Sequence, residues 1–448
     1  MENRKKVLRY FEENKEFFET TVAANIEAYR KGNGVISVVD KDGKPVTSGR
    51  IRVAQTKHAF KFGANLFMLD ELETEDKNQC YKNAFKKVFN MATLPFYWNS
   101  LEEQRGILRF DRNCTKFYRR PPIDLCMDFC EKNGIEPREH ALAYEHTFPA
   151  WLKNATVDEV KAALELRYRQ IAERYADRIP TIEVTNEMLW DHNVTPFYNE
   201  NDYVEWCFKL ADQYFPNNQL VVNDYTEAFW CGNCRSTDQY YAYIEANMLK
   251  GARIDAIGAQ FHMFYTREGE VEKAHCLYNP RHLYNHMDLY ATLAKGLQIT
   301  EITIPAYSAE DEDEEIQAKL IEYLYTIWFS HPYVQQIIYW NLVDGYAYVS
   351  NPTPEKIRST QGNMTVGENV YYGGLLRFDL SPKPAYRTLE RLIHETWHTD
   401  VSGELDQGSF TFRGFYGEYE VEVEVNGTTK KASLNLSQGS NGHWTICI

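Results

Sequence analysis

The run Ala256-Ile257-Gly258-Ala259-Gln260-Phe261-His262 decides the fold class, because it is a short apolar stretch that ends in polar side chains between two helical segments. Seven similar runs occur between residues 58 and 396. The eight predicted strands are residues 60–66, 88–94, 135–143, 181–184, 220–223, 256–261, 297–304 and 336–340. Strand-like runs that alternate with longer helical segments predict an α/β fold, and eight of them predict a (β/α)8 TIM barrel.

Both ends of the chain carry β-type sequence instead of this alternation. Residues 35–39 and 49–53 flank the hairpin signal Asp42-Gly43, and Asn426-Gly427 is a turn signal near the other end. Apolar and polar residues alternate there in three stretches, which are residues 409–412, 418–425 and 432–436. We expect the two ends to combine into one small β-sandwich-like accessory domain.

The N-terminal residues have helical character, because apolar side chains recur there at close to helical spacing. These side chains are Val7, Leu8, Phe11 and Phe18. The sequence therefore predicts four segments along the chain. They are an N-terminal helix over residues 1–34, a β segment over 35–57, the barrel over 58–396 and a closing β segment over 397–448.

Composition excludes several classes of partner. The 448 residues include 49 Lys and Arg against 64 Asp and Glu, a net charge of −15, and 44% are hydrophobic, as in folded chains. An acidic balance disfavours nucleic acid and anionic membrane surfaces, and no run of about eighteen apolar residues indicates a membrane span. Because no apolar signal core follows the charged N-terminus, we expect a cytoplasmic protein, or a secreted one if a signal peptide has been removed.

The nine cysteines do not predict a disulfide framework, since their number is odd and they are scattered through a long chain. Cys231-Gly232-Asn233-Cys234 has the spacing of metal ligands, but no second Cys or His pair follows at zinc-finger distance. We interpret it as a turn that carries two thiols. The sequence predicts neither a metal nor an organic cofactor.

Polar side chains follow the predicted strands at the edge where barrels carry their chemistry. They are His140, Tyr144, Glu145, Asn186, Glu187, Asn223, Asp224, Tyr225, Gln260, His262, Glu301 and Trp340. Carboxylates, amides and histidines at one barrel mouth fit polyol recognition combined with acid–base chemistry. Each glutamate alone is equally consistent with a salt bridge. Glu187 and Glu301 together, on opposite sides of the barrel, favour a catalytic pair.

The chain resembles glycoside hydrolase family 10, the β-1,4-xylanase family of retaining (β/α)8 barrels. Ile182-Glu183-Val184-Thr185-Asn186-Glu187 is similar to the family motif Trp-Asp-Val-Val-Asn-Glu, and Ile299-Thr300-Glu301-Ile302-Thr303-Ile304 is similar to Ile-Thr-Glu-Leu-Asp-Ile. Further matches surround residues 138–151, 223–225, 254–262 and 383–386, so the resemblance covers about residues 55–390.

The resemblance implies a role for each matching residue. Glu187 would be the general acid/base and Glu301 the nucleophile of a double displacement, with a raised pKa for Glu187 and the carboxyl groups about 5–5.5 Å apart. His262 would hold Glu301 with Gln260 close by, and Asn186 would bond the sugar 2-hydroxyl. His140 would contact the same sugar above Trp340. The remaining predicted substrate contacts are Tyr225, Tyr144, Glu145, Trp98 and Tyr348.

Departures from the family pattern lie on the side of the glycone, the part of the substrate that the nucleophile attacks. Thr93-Leu94-Pro95-Phe96-Tyr97-Trp98 lacks the family's Glu, Asn and Lys, and Thr303 replaces the Asp that orients the strand-six histidine. Tyr144-Glu145 and Ala347-Tyr348 replace Trp-His and Ser-Trp. The predicted function is a retaining β-glycoside hydrolase for β-xylosides, xylo-oligosaccharides or a related β-glycoside. Its glycone subsite is expected to be altered, and the choice between exo and endo action stays open.

Two alternatives stay open. One is an endo-β-1,4-xylanase with unusual subsites, and the other is a non-catalytic carbohydrate-binding protein on the same barrel. The only partner that the sequence predicts is a carbohydrate. Neither nucleic acid nor membrane is expected, and the oligomeric state is open.

Overall fold

The computed structural model describes residues 4–190, 195–349 and 362–448. In chain order its strands are β1 (Lys31–Val39), β2 (Arg50–His58), β3 (Lys61–Asn65), β4 (Met91–Pro95), β5 (Glu136–His140), β6 (Thr181–Asn186), β7 (Gln219–Asp224), β8 (Ala256–His262), β9 (Gly296–Thr303), β10 (Val334–Tyr339), β11 (Asp400–Glu404), β12 (Ser409–Phe415), β13 (Gly417–Val425), β14 (Thr428–Leu436) and β15 (His443–Cys447).

Strands β3 to β10 form a closed barrel in which each strand pairs with the next and β10 pairs with β3. Every one of these pairings is parallel. Each of the eight predicted strands overlaps one barrel strand, so the (β/α)8 prediction is confirmed. Because the strands run in one direction, their carboxyl ends meet at a single barrel mouth.

Helices alternate with the barrel strands. Those of eight or more residues in the described chain are α1 (Ala23–Arg30), α2 (Glu75–Val88), α3 (Ile123–Asn133), α4 (Val157–Tyr175), α5 (Tyr203–Tyr214), α6 (Gln239–Leu249), α7 (Arg267–Leu277), α8 (Pro280–Ala291), α9 (Asp311–Ser330) and α10 (Pro384–Arg391). Shorter helical turns cover Arg4–Leu8, Arg9–Glu13, Lys15–Phe17, Phe18–Val22, Trp98–Leu101, Glu145–Thr147, Ala150–Leu152, Pro196–Asn199, Thr226–Trp230, Gly367–Tyr371 and Leu392–Thr396.

Local sequence explains where several helices start and end. Thr156 and Glu159 form a reciprocal capping box at the start of α4, in which each side chain bonds the other's backbone N–H. Gly134 ends α3 in the left-handed conformation that glycine adopts without strain. None of the helices in the described ranges combines the length and the apolar character that a membrane span requires.

The N-terminal helical turns pack against the barrel. Val7, Phe11 and Val22 are buried in the same hydrophobic cluster as the barrel core. Phe11 stacks on Tyr323 of α9 at 4.7 Å between ring centroids. The buried Arg4 forms an ion pair with Asp313 at 2.9 Å, so this segment is held to the barrel by apolar and charged contacts.

The outer strands form two further sheets, with orders β12-β1-β15 and β11-β2-β13-β14. Each sheet combines strands from both ends of the chain, which confirms that the two ends build a common β structure. Buried side chains of the two sheets share a separate hydrophobic cluster, which includes Ile36, Val53 and Val421. We propose that the two sheets together form the accessory domain.

Strand β1 begins at Lys31, within the segment that the sequence analysis assigned to the N-terminal helix. Gly32 and Gly34 pair there with Gly414 and Phe412 of β12. A Cβ atom on Gly34 would lie 2.3 Å from the Phe412 ring, so this pairing needs a glycine at that position. The Lys-Gly-Asn-Gly sequence is therefore part of a strand and not a helix end.

Candidate active site

Glu187 and Glu301 meet at the barrel mouth. Glu301 lies near the end of β9, and Glu187 directly follows β6 with a left-handed backbone φ of 54°. Gln260 Nε2 donates to Glu187 Oε1 at 3.0 Å and to Glu301 Oε1 at 3.2 Å. Because one amide nitrogen bonds both, the two carboxylate oxygens are at most about 6.2 Å apart.

Amide side chains from neighbouring strands hold these carboxylates. Asn223 Nδ2 donates to Glu301 Oε1 at 2.9 Å and to Asn186 Oδ1 at 2.9 Å. Thr300 fixes the orientation of Asn223 by donating its hydroxyl to Asn223 Oδ1 at 2.7 Å. Gly258 leaves room for this amide, since a Cβ atom there would lie 2.4 Å from Asn223 Oδ1. The oxygen of Asn186 is thus occupied, and its Nδ2 is left to donate to a ligand.

His262 links Glu301 to Thr303. Its Nε2 lies 3.3 Å from Glu301 Oε2, and its Nδ1 lies 3.0 Å from the Thr303 hydroxyl. Burial lowers the pKa of His262 to about 4, so the ring is neutral near pH 7 and carries one N–H. Donation from the Thr303 hydroxyl to Nδ1 places that N–H on Nε2, where it donates to Glu301.

Glu301 retains its proton to an unusually high pH. Burial is the largest cause and raises the pKa of Glu301. The nearby His140 lowers this pKa, whereas the carboxylates of Glu183 and Glu187 raise it, and the resulting pKa is about 8. Asn223, Gln260 and His262 all approach Glu301 as donors. Hydrogen bonds to a carboxylate favour its ionised form, so these donors oppose the rise in the pKa of Glu301.

A buried ion network lies beneath the pair. Glu183 of β6 accepts from Arg138 and, at 2.8 Å, from His140 Nδ1. Burial opposes ionisation of Glu183, but Arg138 and His140 outweigh it and hold its pKa below the ordinary value. The other ring nitrogen of His140 bonds the Tyr97 hydroxyl at 3.0 Å.

Ligand atoms of His140, Glu183 and Glu301 lie within 4.8 Å of one another, a spacing that also occurs in metal sites. Arg138, His140 and Asn223 already bond the Glu183 oxygens. We therefore interpret the group as a hydrogen-bonded ion network.

The glutamates, their amide partners and the ion network form what we call the carboxylate floor, which consists of Arg138, His140, Glu183, Asn186, Glu187, Asn223, Gln260 and Glu301. Sequence reasoning did not assign a role to Arg138 or Glu183. A detectable signal was present, because charged residues inside a buried parallel strand are unusual.

Aromatic side chains form one side of the cleft. Phe67, Tyr97 and Trp340 are buried against each other, with Tyr144 packed beside them, and we call Phe67, Tyr97 and Trp340 the aromatic wall. Phe67 meets Trp340 edge to face at 5.2 Å between ring centroids. Tyr144 also donates its hydroxyl to Glu187 Oε2 at 2.7 Å.

The structure brings most predicted site residues together. His140, Tyr144, Asn186, Glu187, His262, Glu301, Trp340 and Tyr348 line one cavity. Gln260 and Tyr225 line the adjoining part of the cleft, where Tyr225 contacts Trp190 edge to face at 5.2 Å.

The structure places the side chains of two predicted substrate contacts outside the cavity. Trp98 is only 1% exposed and donates its indole N–H to Glu102 Oε2 at 2.8 Å, behind the cleft. Glu145 is fully buried and accepts a hydrogen bond from the backbone N–H of Thr195. Both residues adjoin a cleft tyrosine in sequence, but the helical turns Trp98–Leu101 and Glu145–Thr147 direct their side chains into the protein interior.

The sequence model of Glycosyl hydrolase family 10 matches residues 53–389. The chain belongs to this family. Among curated relatives, the anti-sigma-I factor RsgI6 of Acetivibrio thermocellus is 26% identical over 93% of this chain and 48% of its own length. The endo-1,4-beta-xylanase 1 of Arabidopsis thaliana is 24% identical over 90% of this chain and 37% of its own length. The chain thus spans about half or less of these relatives.

Solved structures agree on the family 10 barrel. Xylanase 10B from Thermotoga petrophila, in complex with xylobiose, superposes with a TM-score of 0.57 at 20% identity. The superposition covers 75% of this chain and 95% of that one. The resemblance that the sequence motifs indicated is therefore confirmed at the level of family and fold.

Proposed function

We propose that the chain is a retaining β-glycoside hydrolase that acts by double displacement on β-xylosides, xylo-oligosaccharides or related β-glycosides. The observation that carries this proposal is the Gln260 bridge, which keeps Glu187 Oε1 and Glu301 Oε1 at most about 6.2 Å apart. Retaining enzymes need about 5–5.5 Å between the carboxyl groups, and inverting enzymes need about 6.5–9.5 Å.

In the first step Glu301 attacks the anomeric carbon while Glu187 gives its proton to the leaving oxygen. The glycosidic bond breaks and an ester bond to Glu301 forms. The negative charge of Glu301 is then gone, so the pKa of Glu187 falls and its carboxylate becomes a base. In the second step Glu187 takes a proton from water, the water oxygen attacks the same carbon, and Glu301 leaves as a carboxylate.

Contacts around the two glutamates support this assignment. Tyr144 donates to Glu187 Oε2, which positions the carboxyl group that must face the leaving oxygen. Neutral His262 and Asn223 donate to Glu301, which orients it for attack without removing its charge. Trp340 of the aromatic wall offers an apolar surface for a sugar ring.

The part of the cleft that would hold the glycone is small, which favours a short glycone. The cavity at the aromatic wall has a volume of about 200 Å³, below the ~300–1,000 Å³ usual for ligand pockets. Tyr97 lies where the resemblance places polar contacts to a second sugar. We therefore propose an altered glycone subsite with exo action, and endo-xylanase activity as the alternative. A binding protein without turnover is less well supported, because both glutamates keep their hydrogen-bonding partners.

The test is hydrolysis of aryl β-xyloside, β-glucoside, β-xylobioside and β-cellobioside by wild type and Glu301→Ala. Release from a monosaccharide glycoside that the mutant loses supports an exo-acting enzyme. Release from disaccharide glycosides alone supports the endo-xylanase alternative. No release, with sugar binding retained in both proteins, contradicts the proposal and favours the binding protein.

A further inference from the structure

Two consecutive arginines line the same cavity. Arg119 and Arg120 lie on the segment that leads into α3, and both face the aromatic wall. The Arg120 guanidinium carbon lies 3.7 Å from the centroid of the Tyr97 ring and 5.2 Å from that of Phe67. The Arg119 guanidinium lies 5.5 Å from the Phe67 ring centroid. We call these two residues the arginine pair.

The arginine pair is held by neutral acceptors. Arg119 donates to Asn341 Oδ1 at 2.8 Å and to the carbonyl of Tyr346 at 2.6 Å. Arg120 donates to the carbonyl of Arg119 at 2.8 Å. The buried Nε of Arg119 has no hydrogen-bond partner in the described part of the chain.

Arg119 and Arg120 differ from the other buried arginines in lining the cavity of the two glutamates. Arg109 and Arg167 also donate to backbone carbonyls, but they lie outside that cavity. Two further buried arginines are matched by acids. Arg4 pairs with Glu270 and Asp313, and Arg138 pairs with Glu183. Among residues 4–190, 195–349 and 362–448, no ion pair involves Arg119 or Arg120. Three acids also line this cavity, and none of them forms an ion pair with the arginines in the described part of the chain. Glu368 accepts from Asn341 Nδ2 at 3.3 Å, and Glu187 and Glu301 are bonded by Gln260.

Two adjacent cations without a counter-ion are unfavourable in a half-buried cleft. Burial lowers the pKa of Arg120 to about 10, which still leaves the guanidinium charged near pH 7. An anion supplied by a ligand would offset this desolvation, and a guanidinium offers a planar fork of donors that matches a carboxylate.

The arginine pair lies on the glycone side of the cleft, as its contacts with the residues around Glu301 indicate. The Tyr97 ring that Arg120 covers bonds His140 through its hydroxyl at 3.0 Å. His140 in turn has a ring nitrogen within 4.8 Å of a Glu301 oxygen. Three successive side-chain contacts therefore connect the guanidinium to the nucleophile, which places it beside the sugar that Glu301 attacks or beside the next sugar.

We propose that the glycone of the natural substrate carries a uronic-acid carboxylate, which Arg120 binds and Arg119 further attracts. This inference rests on the proposed glycosidase function and names its substrate class. The carboxylate belongs either to the cleaved sugar itself, as in a β-glucuronide, or to a glucuronic acid substituent on a xylose of the glycone.

The experiment compares kcat/KM for three substrates: a neutral xylo-oligosaccharide, the same oligosaccharide with a glucuronic acid substituent, and an aryl β-glucuronide. The enzymes are wild type, Arg120→Gln, Arg120→Lys and the control Arg112→Gln. Arg112 is an exposed arginine on the same segment that pairs with Asp128, so its loss reports the effect of net charge alone.

Wild type should prefer one of the acidic substrates over the neutral one by about 10- to 100-fold, as one charge-assisted contact predicts. Arg120→Gln should lower that ratio about tenfold or more, Arg120→Lys should retain part of it, and Arg112→Gln should not change it. About 0.5 M NaCl should reduce the wild-type ratio. Whichever acidic substrate is preferred identifies where the carboxylate lies.

A wild-type ratio near one, or a ratio that Arg120→Gln does not change, overturns the inference. Cleavage of the neutral substrate that Glu301→Ala loses would then still support the glycosidase. If nothing is cleaved, calorimetry measures the binding of the acidic and the neutral oligosaccharide to wild type and to Arg120→Gln. Tighter binding of the acidic one that Arg120→Gln abolishes supports the arginine site, and equal or absent binding overturns it.

Discussion

The carboxylate floor and the aromatic wall differ in the kind of side chain that forms them. The floor consists of short polar side chains near the ends of neighbouring barrel strands, and each one bonds at least one other. The wall consists of rings, and the arginine pair beside it comes from an irregular segment between β4 and α3. Floor residues are thus fixed by the barrel backbone, whereas the wall and the arginine pair depend on loops.

The floor thus carries the reacting groups, and the wall and the arginine pair determine substrate selectivity. Barrel loops vary in sequence more readily than the strands that carry them, so substrate choice can change while the reacting groups stay in place. In this chain Asn186, Glu187 and Glu301 of the floor keep the family motifs, whereas Tyr97 of the wall lies in a stretch that departs from them. Changes in the floor should therefore affect every substrate, and changes in the wall should affect some substrates more than others.

Glu187→Gln, a change in the floor, should have the largest effect on catalysis. We expect kcat for an aryl glycoside with a poor leaving group to fall by about 10²–10⁴-fold, because the proton donor is lost. A dinitrophenyl glycoside needs no proton and should lose far less at the glycosylation step. An equal loss for both leaving groups would contradict the acid/base assignment.

The same variant also tests which glutamate carries the proton. Burial raises the pKa of Glu301 against the opposing charge of His140. In the proposed active form Glu187 is protonated and therefore neutral while Glu301 ionises, so Glu187→Gln should leave the acidic limb of kcat/KM in place. The measurement is a pH–rate profile of both proteins with the dinitrophenyl glycoside, and an acidic limb that moves to lower pH would contradict the assignment of the proton to Glu187.

Arg138→Met tests the floor as a structural unit. It leaves Glu183 buried without its main cation, so we expect the free energy of unfolding to fall by about 3–5 kcal/mol. Arg52→Met is the matched control, since Arg52 and Asp400 form an exposed ion pair on the outer sheets, with side chains 53% and 40% exposed. That change should lower the free energy of unfolding much less, because solvent screens an exposed ion pair. Urea unfolding measures both, and equal losses would contradict the importance of the buried network.

Tyr97→Phe tests the contact between wall and floor. It removes the hydroxyl that bonds His140 but keeps the ring under Arg120. We expect kcat/KM to fall about three- to tenfold for neutral and acidic glycones alike, as loss of one hydrogen bond predicts. A loss confined to acidic glycones would show that the hydroxyl, and not the ring, supports the arginine pair.

Trp98→Phe should have the smallest effect on activity. Because Trp98 lies behind the cleft, KM and kcat should change by less than about twofold. Glu102 loses its indole donor, so the free energy of unfolding should fall by about 1–3 kcal/mol. A raised KM with unchanged stability would restore Trp98 as a substrate contact.

The sequence predicted the barrel and most of its mouth, because parallel strands bring their ends together whatever the loops do. Glu187, Gln260, His262 and Glu301 were identifiable for this reason. It did not predict the direction of Trp98 and Glu145, since a short helical turn after a strand can point a side chain either way and packing decides. Nor did it predict the arginine pair, whose segment reaches the cleft only through tertiary contacts.

Strand pairing across the whole chain also has a consequence during synthesis. Lys31 of β1 pairs with Phe415 of β12, and β2 pairs with β13, so neither N-terminal strand has its antiparallel neighbour until the barrel has been translated. At ~5–20 residues per second the ribosome needs on the order of 20–80 s to cover that interval. During this time the edges of β1 and β2 are open to pairing with other nascent chains, and a message that stops short of β12 would leave them open permanently.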